Sequence, residues 1–170
     1  MRVIITGATG FVGGWLVSDL LKDSFDLTII RYNPKHSYQF SDENPRTNSQ
    51  YFLKKFDKTC KEVFIDLCDY LSVEKIIKET KADAVIHMAA VSRVSIAKNN
   101  PKHTYELASN GTLNLLEAIR LHSPHTLFIS HTSDKVYSGN NVPFHENMLF
   151  NPTFIFDAAK ISQEYLTKIY

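Results

Sequence analysis

Three glycines spaced by three, Gly7, Gly10 and Gly13, stand directly after the β-branched run Val3-Ile4-Ile5-Thr6. A strand that ends in such a triplet and feeds an amphipathic segment is the arrangement that binds the pyrophosphate of a dinucleotide. Each glycine has a physical task in it. Gly7 allows the tight turn off the strand, Gly10 lets the backbone come close to the phosphates, and Gly13 lets the next helix pack on the strand. That helix is expected over about Phe11 to Lys22, with its N-terminus and unpaired N–H groups aimed at the anion. Thr9, Phe11 and Val12 belong to the same loop and are counted with it as cofactor-binding residues.

Other polar residues fall where a ligand-binding edge needs them. Arg31 ends the second apolar run, Leu27-Thr28-Ile29-Ile30, where a carboxylate would accept bonds from the adenosine ribose of NAD. A guanidinium accepts nothing and attracts a 2′-phosphate instead, with Lys35 near enough in sequence to help. The alternative is an Arg31 that stacks on adenine or faces solvent. The cofactor is therefore NADP or NAD, with a lean to NADP. Asp66 follows the third apolar run, and Ser133-Asp134-Lys135 follows the fifth. Lys160 lies on the last expected helix. His87, at a strand end, reads as a packed and satisfied histidine before it reads as a catalyst.

The elements that position these residues alternate. Strands are expected at Val3–Thr6, Leu27–Ile30, Val63–Ile65, Ala84–His87 and Leu127–Ser130. Ser72 is expected to cap a helix running to about Thr80, with Glu74 and Lys78 paired at i, i+4. Asn100-Pro101 reads as cap and first residue of a long helix to about His122, in which Gly111 marks close packing rather than a break. A final helix covers about Phe154 to Tyr170. The stretch 33–58 is a long polar connection. Strand–helix alternation with short joins predicts an α/β fold, a doubly wound parallel sheet in the order 3-2-1-4-5 spanning residues 1–170 as one domain.

Composition bounds the partners. A formal net charge of +1 gives no pull toward nucleic acid or an anionic membrane surface. No apolar run is long enough to span a bilayer, and the chain opens on a strand rather than a secretion signal. Cys60 and Cys68 have no C-x-x-C spacing, and the seven histidines lack an accompanying carboxylate or thiol cluster. A reduced cytoplasmic setting and no metal site are expected.

With these residues in view, the chain resembles the extended short-chain dehydrogenase/reductases, the NAD-dependent epimerase/dehydratases. The likeness rests on GATGFVG at 7–13, Asp66-Leu67-Cys68-Asp69, His87-Met88-Ala89-Ala90, Gly111-Thr112-Leu113-Asn114-Leu115-Leu116-Glu117-Ala118 and Ser133-Asp134-Lys135-Val136-Tyr137. Ser133-Asp134-Lys135 is most similar to nucleotide-sugar 4,6-dehydratases, and 100–106 to the CDP-glucose dehydratase type.

The resemblance implies roles. Gly7, Gly10 and Gly13 hold the pyrophosphate, Asp66 accepts from the adenine amino group and the Leu67 backbone completes that contact. Ala89 and Ala90 line the path to the nicotinamide ribose. Ser133 meets the sugar hydroxyl being oxidised, Asp134 and Lys135 assist loss of water, and Lys160 holds the nicotinamide ribose. Similar proteins dimerise through two helices, here 101–122 and 154–170, with Ile161, Tyr165, Leu166 and Ile169 as the apolar stripe.

Two positions depart from the pattern. The family's catalytic tyrosine, four residues before the lysine, is Phe156 here, and an asparagine of the long helix is Ala108. A benzyl side chain has no acid–base group. Three readings stand: a domain of a nucleotide-sugar epimerase or dehydratase, a non-catalytic cofactor-binding scaffold, or a half that needs a separate substrate-binding part.

Overall fold

A computed structural model describes residues 1–32, 60–137 and 143–170. The long connection 33–58, Lys35 included, lies outside the described residues. The sheet is built from β1 (Arg2–Thr6), β2 (Asp26–Arg31), β3 (Lys61–Phe64), β4 (Ala84–His87) and β5 (Leu127–Ser130). Its order is β3-β2-β1-β4-β5 and every pairing is parallel, the doubly wound topology expected from the strand–helix alternation.

The apolar run of β1 is continuous because both of its faces are buried. Ile4 joins Ile30, Val85 and Leu115 in one core, while Val3 and Ile5 join Leu27, Ile29 and Val17 in the other. A sheet covered on both sides leaves no position in its central strands for a solvent-facing residue. Around it lie α1 (Phe11–Lys22), α2 (Tyr70–Thr80), α3 (Val94–Asn99), α4 (Pro101–His122) and α5 (Ile155–Ile169). A third, smaller cluster of Val91, Ala97 and Phe156 seats α3 against α5.

Local chemistry explains most of the boundaries. Pro101 is the first residue of α4, where its missing N–H costs nothing. Asn100 occupies the cap position but makes no side-chain cap bond; its amide donates to the Ile96 carbonyl at 3.4 Å. Gly111 packs as expected, since a Cβ there would lie 3.2 Å from Leu67 Cβ. The Glu74–Lys78 pair forms at 3.2 Å, and Glu74 also meets His122 at 2.8 Å, tying α2 to α4.

One boundary differs from the sequence expectation. The N-cap of α2 is Asp69, and Ser72 sits inside the first turn, donating to Asp69 Oδ2 at 2.6 Å. An aspartate and a serine three apart can each cap, and Asp69 is the one that reaches the chain's entry. The short α3 and a 3₁₀ turn at Asp134–Val136 carry no periodicity that a sequence reading could use. No helix among the described residues is long and apolar enough to cross a membrane.

Candidate functional site

Register brings the chosen residues to one edge. Thr6 pairs with Ile30 on one side and with His87 on the other, His87 pairs with Ser130, and Arg31 pairs with Phe64. The carboxyl ends of all five strands are therefore level. The segments that follow them, 7–13, 66–67, 89–90 and 133–135, open at this edge, where doubly wound sheets bind ligands.

The glycine loop is shaped for close approach. Gly7 has φ +71, a conformation that favours glycine, and a Cβ on it would sit 2.6 Å from Met88 C and 2.7 Å from Ala89 N. A Cβ on Gly13 would lie 2.2 Å from the Gly7 carbonyl oxygen. Gly10 caps α1 with no side chain over it, its N–H donating to Gly7 O at 3.0 Å. Because the cap brings no side-chain oxygen and the first turn no acid, the N-terminal N–H groups of α1 stay open to an anion. Phe11 and Val12, both more than half exposed, stand beside that opening.

On one flank, Asp66 Oδ1 accepts from Cys68 N at 2.9 Å, which holds the turn after β3. The Leu67 carbonyl accepts from Asn114 Nδ2 at 2.8 Å, which ties this turn to α4. Arg31 is already engaged across the β2–β3 pairing. Its guanidinium is paired with Glu62 Oε2 at 2.6 Å and lies 4.8 Å from the centre of the Phe64 ring. A neighbouring carboxylate offsets the cation on which a 2′-phosphate preference relied. The sequence hid this because Glu62 is distant in the chain and meets Arg31 only through β2–β3 pairing.

On the other flank, Ser133 caps the 3₁₀ turn: its hydroxyl accepts from Lys135 N at 3.1 Å and donates to Asp134 Oδ1 at 3.2 Å. Asp134 and Lys135 are exposed. Lys160 is not a solvated surface lysine. It is only 5% exposed, and its Nζ donates to the His131 carbonyl at 3.0 Å. Burial pushes its amine down to about 8, against the opposing pull of Glu164. Glu164, one turn on, accepts from Thr132 Oγ1, so α5 clasps the end of β5 twice. Sequence reasoning passed over Thr132 and Glu164, although their polarity at a strand end and one turn after Lys160 was visible.

Phe156 and Ala108 line a single recess with Ala90, Val91, Thr104 and Lys160. Thr104 spends its hydroxyl proton on the Asn100 carbonyl at 2.8 Å. Among the described residues lining this recess, the lysine is thus the only ionisable one. Among the described residues no His, Cys, Asp and Glu cluster could hold a metal ion.

His87 is fully buried between Thr6, Thr112 and Gln163. Burial, with the Lys160 charge adding to it, pushes its pKa down to about 3. The unfolded chain takes a proton on this ring near 6.5 and the folded chain does not. Stability is therefore complete above that value and falls by ~1.4 kcal/mol per pH unit below it from this group alone. Urea midpoints are expected to drop measurably from pH 7 to pH 5, a window above most carboxylate titrations; a flat profile there would contradict the buried neutral ring.

Comparison with known proteins agrees with this geometry. A family model described as GDP-mannose 4,6 dehydratase matches residues 4–170. A UDP-glucuronate 4-epimerase of Thermodesulfobacterium geofontis is 30% identical over 168 residues, 98% of this chain and 50% of that protein. A dTDP-glucose 4,6-dehydratase of Mycobacterium tuberculosis is 27% identical over 172 residues, 99% of this chain and 48% of that protein. Among solved structures, the UDP-glucose 4-epimerase of Thermus thermophilus in complex with NAD matches with TM-score 0.79 and 26% identity, covering all of this chain and 50% of that one. The dTDP-glucose 4,6-dehydratase of Streptomyces venezuelae, with NAD bound, shares the fold at TM-score 0.84 and 21% identity, over 51% of its length. The chain spans about half the length of these relatives. A five-stranded parallel sheet, a glycine turn that admits no Cβ and a family match over nearly every residue agree, and the chain belongs to the GDP-mannose 4,6-dehydratase family of nucleotide-sugar epimerases and dehydratases.

Proposed function

We propose that the chain is the NAD(P)-binding domain of a nucleotide-sugar epimerase or dehydratase. The observation that carries this reading is the glycine cradle, in which Cβ atoms at positions 7 and 13 would strike backbone. Such a surface suits the pyrophosphate, and the open N–H groups of α1 supply the matching positive end. When bound, the cofactor would supply a hydride acceptor for the sugar. The chain's own residues do the rest. Asp66 accepts from the adenine amino group while the Leu67 N–H donates, Ala89 and Ala90 line the passage to the nicotinamide ribose, and Lys160 brings a buried amine to it. Ser133, Asp134 and Lys135 face the sugar side.

Titration with NAD and NADP tests the reading. At least one is expected to bind and to raise the melting temperature. Binding of neither at millimolar concentration overturns it. Because Glu62 already pairs with Arg31, the wild-type chain is expected to show no strong preference for NADP. Glu62→Gln, which frees the guanidinium for a phosphate, is expected to move the NADP:NAD affinity ratio up by about tenfold, the scale of a charge-assisted hydrogen bond. An unchanged ratio would remove Arg31 from the site.

The same reading includes a homodimer through α4 and α5. Tyr170 OH donates to Glu117 at 3.2 Å, which places the end of α5 on the stripe of α4 that carries Leu113 and Leu121. Leu113, Leu121, Ile169 and Tyr170 are all exposed large side chains on these two helices. Sedimentation at micromolar concentration is expected to give a dimer that Ile169→Glu dissociates; a wild-type monomer refutes the interface.

A further inference from the structure

We propose that Thr6 and His87 are positioning residues of the dinucleotide site. Through a directed chain of hydrogen bonds they lock the loop after β4 against the glycine turn, and they join both to the helix that carries Lys160. The inference rests on the cofactor reading for its purpose, though not for its geometry.

Donor counting fixes the direction of every proton but one group's. Thr6 Oγ1 is buried and accepts from Ala89 N at 3.0 Å and from Met88 N at 3.1 Å, the latter N–H being shared with Thr6 O at 3.2 Å. A hydroxyl has two lone pairs and one proton. With both pairs filled, its proton goes to His87 Nδ1, 2.7 Å away. His87 must then carry its own proton on Nε2. That N–H donates to Thr112 Oγ1 at 3.0 Å, whose proton in turn goes to the Ala108 carbonyl at 2.5 Å. The second lone pair of Thr112 accepts from Gln163 Nε2 at 3.1 Å. Gln163 Nε2 also lies 3.1 Å from His87 Nε2, but two protonated nitrogens make a contact and not a bond. Gln163 Oε1 is buried with no partner among the described residues.

The consequence is mechanical. Met88 and Ala89 press on Gly7 so closely that no Cβ fits between them. The residue beside Gly7 is Thr6, and its hydroxyl holds the two N–H groups at that contact. The wall formed by Ala89 and Ala90 therefore cannot move away from the glycine turn without breaking two bonds to one oxygen. At the other end, Gln163 lies one turn beyond Lys160, whose Nζ is anchored on His131 O. Two contacts one turn apart thus set α5 on the sheet. The imidazole between them has a fixed orientation because its two nitrogens have different partners.

The test uses the full 170-residue chain. Imidazole ¹⁵N spectra of the wild type are expected to show His87 as the neutral Nε2–H tautomer; an Nδ1–H form overturns the proton order. Thr6→Val keeps the shape, leaves Ala89 N without its acceptor, reduces Met88 N to its backbone bond to Thr6 O at 3.2 Å and removes the donor to Nδ1. Its Ala89 amide is expected to exchange faster, with Met88 less affected because Thr6 O still accepts from it, and its NAD(P) affinity to fall by about tenfold or more. Thr6→Ser, which restores the hydroxyl, is expected to recover both. Wild-type affinity in Thr6→Val refutes the positioning role. Gln163→Met removes the partnerless oxygen with the amide, so it is expected to fold with near-wild-type stability and lose affinity by less than about tenfold. Should Thr6→Val not fold, wild-type affinity in Gln163→Met refutes the tie to Lys160. A wild-type chain that binds neither dinucleotide would end the cofactor reading, while the tautomer and the Ala89 amide exchange rate would still decide the clasp.

Discussion

Gly13→Ala is expected to abolish dinucleotide binding and to destabilise the fold, whereas Gly10→Ala is expected to weaken binding alone. The two glycines sit three residues apart in one loop, yet they meet different surroundings. A Cβ on Gly13 would lie 2.2 Å from Gly7 O and 2.9 Å from Ala8 Cα. Both are backbone atoms, so relief requires α1 to move off β1. Overpacking of this kind costs ~1–3 kcal/mol. The movement would also turn the N-terminus of α1 away from the phosphates. A Cβ on Gly10 would meet only Gly7 O, at 3.2 Å, and the residue is exposed. Its methyl would occupy the space the pyrophosphate needs and disturb little else. Denaturant melts and NAD(P) titrations of both variants separate the cases. We expect affinity to fall by about a hundredfold or more in Gly13→Ala, taking the cradle loss together with overpacking. A Gly13→Ala chain that binds as the wild type does would overturn the cradle.

The contrast between legible and hidden features follows sequence distance. β1, α1, β4 and β5 were readable because each is a local pattern: a β-branched run, a glycine turn or an apolar tetrad. The sheet order followed from the alternation of those patterns. What stayed hidden depends on pairs brought together by the fold. Arg31 with Glu62 is one such pair, and Lys160 with the His131 carbonyl is another. Sequence reading could place Lys160 on the right helix but could not tell a buried amine from a solvated one. The Thr6–His87–Thr112–Gln163 chain joins β1, β4, α4 and α5, and no spacing rule links its members. The cap of α2 failed for the opposite reason, since Asp69 and Ser72 satisfy the same local rule and only the path of the chain into the helix chooses between them.

Turnover is where Phe156 has its largest effect. The chain, supplied with NAD or NADP and with UDP-, dTDP-, CDP- or GDP-hexoses, is expected to convert none of them at a rate usable in an overnight assay. Oxidising a sugar hydroxyl needs a group that takes its proton as the hydride leaves. The recess beside Ala90 offers Phe156, Ala108 and a Thr104 whose proton is already committed, with Lys160 as its one ionisable side chain among the described residues. An acid–base group in place contributes ~10²–10⁴ in rate. Phe156→Tyr adds a phenol hydroxyl to a buried ring that packs on Val91 and Ala97. The new phenol would share a recess with Lys160, whose amine burial holds near 8 and which is therefore neutral where a phenol titrates. Burial without a cation disfavours phenolate, so the phenol is expected to titrate above the ordinary tyrosine value of ~10 in an ultraviolet difference titration against the wild type. Turnover is expected to stay low even so, because a single hydroxyl does not position the sugar, and positioning can be worth ~7–11 kcal/mol. The titration and the assay thus read different things: a phenol pKa below the ordinary value would mean that a charged amine faces position 156, and brisk turnover by the wild type would mean that the lysine has taken over the proton transfer itself.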